Sequence, residues 1–203
     1  MSEEGEEAAR TSSSRAEARL PRRAAVFVAG LILIVSGGVV VVVSCLNAIR
    51  PTGIVLHHSA VPYPPDGSPV DVRLLDEVHR QRGFGAFYWG RFYHVGYHYV
   101  ILPDGEVQSG RPERCRGAHA EGYNSYIGIC LVGGFSSGGN ADGEEGPREP
   151  TPAQTRSLLE LTARLRKSYG IPPERVVKHR DVNPNTECPG DRFLLGQIKE
   201  QFP

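Results

Sequence analysis

Residue types that bind transition metals occur at separated points of the sequence. Two neighbouring histidines, His57 and His58, lie in the apolar stretch GIVLHHSA, and the later stretch KHRDVNPNTECPG contains His179 and Cys188. Two imidazoles and one thiolate form a borderline-soft donor set that suits zinc. Three protein ligands leave a fourth position for water, whose pKa falls to about 7 on zinc. The set predicts hydrolytic chemistry, although a disulfide or an ordinary loop are the alternatives for Cys188.

The adjacent histidines cannot easily serve one metal ion together. The stretch around them has the short apolar pattern of a strand, so the side chains of His57 and His58 point to opposite faces. One of them can belong to a site while the other packs or faces solvent. The periodicity alone does not identify which.

The chain after residue 50 predicts one α/β domain with a mixed central sheet flanked by helices. Strands and helices are interleaved in the order β, α, β, β, β, α, β, α, and no internal repeat occurs. The predicted strands are 52–59, 95–102, 106–109, 125–135 and 174–182, and the predicted helices are 70–83, 151–170 and 191–202. The Pro-Asp-Gly turn at 103–105 predicts a hairpin, and Thr151 with Pro152 predicts a helix start.

An apolar segment precedes this domain. Residues 24–46 contain no charged side chain, and a helix of that length rises about 34 Å, enough for a hydrocarbon core of about 30 Å. The segment predicts a transmembrane helix. The preceding tail, residues 1–23, is rich in arginine, whereas only Arg50 follows the segment closely. Positively charged flanks stay in the cytoplasm, so the tail is expected to be cytoplasmic and the domain exported. The stretch VVSC resembles a lipobox, which makes a lipoprotein anchored at Cys45 the alternative.

The charge balance argues against a nucleic-acid partner, and the remaining histidines and cysteines are expected to have mainly structural or surface positions. Lys+Arg 23 balance Asp+Glu 23, so no basic field indicates a nucleic-acid partner. His79 and His94 are predicted at the surface, and His98 in a buried or hydrogen-bonding position. Trp89 fits either a groove border or ordinary packing. Export leaves open whether the core thiol Cys130 pairs with Cys115.

Five ordered blocks resemble one known family. GIVLHHSA, HVGYHYVILPDGEVQSGR, GAHAEGYNSYIGICLVGGF, TPAQ and VVKHRDVNPNTECPG occur in the order of zinc-dependent N-acetylmuramoyl-L-alanine amidases, the family of phage lysozyme-like amidases and peptidoglycan recognition proteins. The resemblance covers about residues 52–200. It implies that residues 51–203 form an amidase domain.

The resemblance implies a role for individual residues. His57, His179 and Cys188 match the family's zinc ligands, and Tyr97 matches its catalytic tyrosine. Thr186 matches a position that is lysine in some phage members and threonine in many recognition-protein amidases, where it assists charge stabilisation. The two positions that match the lining of the substrate groove are His119 and Asn124.

The implied function is zinc-dependent hydrolysis of the amide between N-acetylmuramic acid and L-alanine in peptidoglycan. Recognition proteins that only bind peptidoglycan lack the thiolate ligand, so Cys188 favours an enzyme over a membrane-anchored peptidoglycan-binding sensor. The expected partners are the muropeptide substrate and the membrane, with no nucleic acid, and the expected state is a monomer.

Overall fold

A computed structural model describes residues 31–35, 38–42 and 48–200, and the chain divides into two compact units at residues 44 and 45. In the first unit, strands β1 (Leu31–Val35) and β2 (Gly38–Val42) pair antiparallel. The described part of the predicted transmembrane helix is therefore extended. Ile and Val predominate in these strands, and their branched Cβ atoms favour extended backbone.

Within the described ranges, no helix is both long enough and apolar enough to cross a membrane. The cytoplasmic assignment of residues 1–23 and the lipobox cysteine Cys45 fall outside the described residues, as does the remainder of 24–46.

The second unit is built on a five-stranded mixed sheet, which confirms the predicted α/β fold. Its strands are β3 (Ile54–His58), β6 (Tyr99–Ile101), β7 (Val107–Ser109), β8 (Ile127–Leu131) and β9 (Val176–Lys178), in the order β7-β6-β8-β3-β9. Strand β3 runs parallel to both β8 and β9, and only β7 is antiparallel to its neighbour β6. The central strand β8 is buried at every position, as its continuous apolar run predicts.

Helices cover both faces of this sheet. Helix α2 (Pro152–Tyr169) packs its leucines on one face, together with α4 (Leu195–Lys199), and α1 (Val72–Gln81) packs on the other. Thr151 and Gln154 form the capping box that starts α2, and Gly170 with φ 66° ends it. Alternate residues of the strands enter the two clusters, so neighbouring side chains serve opposite faces.

Two local structures differ from the sequence-based expectations. Residues 179–182, predicted as the end of a strand, form the short helix α3 (His179–Val182), whose start is fixed by the Lys178 N–H donating to Asp181. A second hairpin, β4 (Ala86–Tyr88) and β5 (Arg91–Tyr93), was not predicted. Its short aromatic strands lack the clear alternation of a long half-buried strand.

No disulfide joins any two of the cysteines Cys115, Cys130 and Cys188. Cys115 packs with Ala86 and Tyr88, whereas Cys130 belongs to the separate cluster beneath α1. The structure therefore contains no bridge between Cys115 and Cys130.

His98 is fully buried and holds two chain segments together, which confirms its predicted hydrogen-bonding position. Its Nε2 lies 2.8 Å from the Cys115 carbonyl oxygen, and the Gly128 N–H donates to its Nδ1 at 2.9 Å. Both contacts require the neutral ring with its proton on Nε2. Burial lowers the pKa of His98 to about 4.

The lowered pKa of His98 predicts that the folded domain becomes less stable in acid. The unfolded chain takes up a proton near pH 6.5 and the folded chain near pH 4, so stability falls as the pH drops through that window. We expect His98 to account for about 2 kcal/mol of the stability lost between pH 7.5 and pH 5. Urea unfolding at both pH values measures the loss, and His98→Gln should reduce it by that amount. An unchanged pH dependence in this variant would contradict the assignment.

Candidate active site

The site forms where parallel strands end at one edge of the sheet. His57 is the fourth residue of β3, and His179 follows β9 directly, so the parallel pairing of β3 with β9 brings the two imidazoles together. Their ring centroids lie 4.6 Å apart. Ligands commonly bind at the carboxyl ends of parallel strands.

Cys188 reaches the same point from the loop after α3. One ligand atom each from His57, His179 and Cys188 lies within 4.8 Å of the others. The Cys188 Sγ is 3.6 Å from the Nδ1 of His57. The three residues predicted as metal ligands are therefore brought together, although 131 positions separate His57 from Cys188.

The return loop holds the thiol in place through backbone contacts. The Arg180 N–H donates to the Cys188 carbonyl oxygen at 2.8 Å, and the Cys188 N–H donates to the Thr186 hydroxyl oxygen at 3.2 Å. The His58 N–H donates to the Cys188 Sγ at 3.4 Å. Thr186, a predicted catalytic residue, thus orders the loop that carries Cys188.

His58 lies on the opposite face from the three candidate ligands, as strand alternation predicts. Its Nδ1 accepts a hydrogen bond from the Phe135 N–H at 3.0 Å, and its ring packs near the Phe135 ring. His58 is therefore a structural residue, and its main chain rather than its imidazole serves the site.

Burial favours the uncharged forms of all three residues. Burial lowers the pKa of His57 well below its usual value and also lowers that of His179, which keeps both imidazoles neutral. Burial raises the pKa of the Cys188 thiol to about 12. A divalent cation would offset the cost of a buried thiolate here.

One separation within this donor set matches the value expected for a zinc ion. A nitrogen and a sulfur bound to one tetrahedral Zn²⁺ lie about 3.6 Å apart, given the usual bond lengths. The observed separation of His57 Nδ1 and Cys188 Sγ is 3.6 Å. Among the described residues, this is the one group of histidine, cysteine and carboxylate side chains arranged to hold a metal.

Tyr97 lies against the candidate ligands. Its ring centroid is 5.1 Å from that of His57 and 5.3 Å from that of His79. Cys130, which pairs with His57 in the strand register, belongs to the cluster against which Tyr97 packs. Burial raises the pKa of Tyr97 well above its usual value, so the hydroxyl keeps its proton and can donate it.

A cleft of about 490 Å³ opens above these residues. Both predicted groove residues line it, together with Tyr97 and His179. The Asn124 Oδ1 accepts hydrogen bonds from the N–H groups of His119 and Ala120, which fixes the loop between them. His119 is almost fully buried, and its ring nitrogens contact His57 Nε2 at 3.1 Å and the Tyr126 carbonyl oxygen at 3.0 Å.

The prediction that His79 is a surface residue is wrong. The residue is 5 % exposed, lines the cleft, and accepts a hydrogen bond from the Gly96 N–H on its Nδ1 at 2.8 Å. Its position four residues after Leu75 on helix α1 could have revealed this, because residues four apart share a helix face and Leu75 is buried. Arg82 and Phe84 also line the cleft, and no comparable sequence pattern indicates them.

The other predicted surface histidine, His94, is half-buried. Its ring Nδ1 lies 2.7 Å from the Phe84 carbonyl oxygen, and its main-chain N–H donates to the Asp76 carboxylate. His94 therefore supports the segment that leads into the cleft.

Several known proteins are similar to this chain in sequence or in structure. The endolysin of Enterobacteria phage T3 is 39% identical over 121 residues, which cover 59% of this chain and 70% of that protein. The N-acetylmuramoyl-L-alanine amidase LysC from Clostridium intestinale URNW is 33% identical, with a TM-score of 0.59 over 75% of this chain and 85% of that one. Drosophila PGRP-LB is 26% identical, with a TM-score of 0.56 over 79% and 88%.

The family model described as N-acetylmuramoyl-L-alanine amidase matches residues 47–191, which span the whole sheet and all three candidate ligands. The chain belongs to the N-acetylmuramoyl-L-alanine amidase family.

Proposed function

We propose that this chain is a zinc-dependent amidase that hydrolyses the bond between the lactyl group of N-acetylmuramic acid and the first L-alanine of the peptidoglycan stem. The convergence of His57 and Cys188 on His179, which lines an open cleft, carries the proposal. Family membership supports the reaction, and the donor set supports zinc.

When bound, zinc would polarise the scissile carbonyl and acidify the attacking water. The chain's own residues supply the remaining functions. Tyr97 donates its hydroxyl proton in a hydrogen bond to the carbonyl oxygen as negative charge develops there. Its raised pKa keeps that proton available across the neutral range.

Thr186 has a supporting role in this proposal. Its hydroxyl oxygen accepts the Cys188 N–H, so the hydroxyl hydrogen remains available to donate toward the developing charge. His119 and Asn124 shape the wall of the cleft on the side of loop 117–124 and face the substrate.

We also propose that residues 24–46 anchor the enzyme in the membrane, with residues 1–23 in the cytoplasm and the monomeric catalytic domain outside. An isolated two-stranded hairpin leaves outer backbone groups unpaired, and hydrocarbon offers them no partners. The same charge-free segment would therefore be helical in lipid. A lipid-bearing Cys45 is the alternative anchor.

The decisive experiment is digestion of purified peptidoglycan by the full chain, with and without a chelator. The expected result is release of peptides with free L-alanine amino termini, lost on chelation and restored by Zn²⁺. Peptidoglycan binding without any product would instead support a sensor. Activity that survives complete metal removal would refute the zinc assignment.

A further inference from the structure

The β4–β5 hairpin presents aromatic side chains to solvent at a cost to the fold. Its turn residues Trp89 and Gly90 have φ of 47° and 82°. A positive φ is unfavourable for a bulky residue such as Trp89. Trp89 is nevertheless 81 % exposed and Phe92 is 66 % exposed. Exposed, strained aromatics at a hairpin tip indicate a surface for contact.

The two faces of the hairpin are different. Ala86 and Tyr88 are buried and pack on Cys115 below. On the other face, Phe87 and Phe92 are directly paired in the register, with ring centroids 5.1 Å apart. The hairpin is thus fixed to the domain on one side and turns an aromatic face outward.

The hairpin lies beside the point where the chain enters the domain. Cys115, beneath the hairpin, forms an antiparallel bridge with Ala48, and the Ile49 N–H donates to the Arg114 carbonyl oxygen at 2.8 Å. In the sequence, Ala48 comes two positions after the apolar segment 24–46 ends. The aromatic tip and the start of the domain therefore belong to one region of its surface.

Positive charge accompanies the aromatic rings in this region. Four arginines on the hairpin or on the segments that pack below it are exposed, namely Arg50, Arg91, Arg114 and Arg116. Aromatic side chains concentrate at membrane interfaces, and arginines are attracted to anionic headgroups. We propose that hairpin 86–93 inserts its aromatic tip into the headgroup region of an anionic lipid surface, which orients the catalytic domain on the membrane. The inference rests on the proposed anchoring by residues 24–46.

Trp89 offers a direct test because it is the only tryptophan of the chain. The full chain is reconstituted into phosphatidylglycerol–phosphatidylcholine vesicles. The fluorescence emission of Trp89 in these vesicles is compared with its emission when the chain is mixed with soluble muropeptide in the absence of lipid and detergent. In vesicles we expect a blue shift and quenching by lipids brominated near the headgroup. Phe92→Ser should weaken the quenching at least about twofold. Val107→Ser, a matched change at an exposed residue of β7, should not alter it.

The outcomes separate this inference from the proposals on which it rests. Cosedimentation with vesicles reports the anchor, and product release reports the amidase. A chain that cosediments while Trp89 keeps a water-like, unquenched emission would overturn the hairpin proposal alone. A shift caused by muropeptide rather than by lipid would assign the hairpin to the glycan and also overturn it. Absence of cosedimentation would overturn both the anchor and this inference.

A second inference comes from the hydrogen bonds behind His57. The ring of His119 lies between His57 and a main-chain carbonyl, with its Nδ1 3.1 Å from His57 Nε2 and its Nε2 3.0 Å from the Tyr126 oxygen. A carbonyl oxygen only accepts hydrogen bonds, so the proton of neutral His119 must be on Nε2. Its bare Nδ1 then accepts a proton only from Nε2–H of His57.

This arrangement selects the atom that His57 presents to the site. With the His57 proton on Nε2, its lone pair is on Nδ1, the atom that lies 3.6 Å from Cys188 Sγ. Two glycines make room for the intervening ring. A Cβ at either Gly117 or Gly128 would lie 2.5 Å from the His119 ring. The backbone is thus shaped to hold His119 in this position.

The geometry assigns His119 as a positioning residue that fixes the His57 tautomer and ring orientation for metal binding. Residues that hydrogen-bond to metal-bound histidines typically increase the metal affinity by about 10- to 100-fold, and we expect an effect in that range here. His119→Phe should weaken Zn²⁺ binding by that factor in a chelator competition. His119→Gln, whose side-chain oxygen can accept from His57, should restore most of the affinity.

A measurement on the unaltered chain guards against misfolded variants. Nitrogen NMR of the metal-free protein labelled at histidine should show both His57 and His119 as Nε2–H tautomers. A His57 proton on Nδ1 would overturn the assignment, as would zinc affinity in His119→Phe within about threefold of the unaltered chain. Because the spectrum is recorded without metal, it stands independently of the amidase proposal.

Discussion

Replacing Cys188 with alanine is expected to abolish hydrolysis of muropeptides, with a loss of at least about 1,000-fold in kcat/KM. The change removes one of three converging ligand atoms and leaves two neutral imidazoles. Bound zinc should fall well below one ion per chain after dialysis. Metal analysis together with separation of the muropeptide products measures both effects.

The matched control is Cys115→Ala, which removes a buried thiol that does not belong to the ligand set. This variant should retain full zinc content and turnover. Hydrolysis by Cys188→Ala at a rate near that of the unaltered chain would exclude the thiol as a ligand.

Replacing Tyr97 with phenylalanine is expected to lower kcat by about 100- to 1,000-fold, the usual effect of losing one hydrogen-bond donor to a developing oxyanion. The phenyl ring keeps the packing against His57 and His79, so zinc content and KM should change little. Steady-state kinetics on a defined muropeptide give kcat and KM separately.

Tyr99→Phe is the control for a general loss of tyrosine hydroxyls. Tyr99 donates to Glu113 on the opposite side of the sheet, where it also meets Arg164. That variant should keep normal kcat. If Tyr97→Phe raised KM and left kcat unchanged, the hydroxyl would be assigned to substrate binding instead of charge stabilisation.

The central sheet and its two main helices follow closely from the sequence. Short apolar runs identify β3 and β8, and the Thr151 cap and Gly170 delimit α2. These signals are local, so no knowledge of distant contacts is needed to interpret them. The opposed faces of His57 and His58 follow from the alternation of side chains along a strand.

The identity of the site depended on more than periodicity. Spacing alone left Cys188 as a ligand, a disulfide partner or a loop residue, and only the resemblance to a family assigned it. The structure adds the strand pairing that aligns His57 with His179. Such pairing between distant segments has no local signal in a single sequence.

Other features depend on the environment of the chain. His79 is predicted at the surface, yet the cleft-facing side of α1 buries it. The role of His119 in contacting His57 arises from a loop that folds back over β8, which no spacing rule describes. Residues 31–42 are rich in residues that suit both strands and apolar helices, so composition alone does not select one.

The two outer strands of the central sheet, β7 and β9, are each three residues long. An outer strand of a sheet is a template on which another polypeptide can add its own strand, and so short a template gives such an addition few hydrogen bonds. The central sheet therefore offers little template for strand addition between copies of this chain.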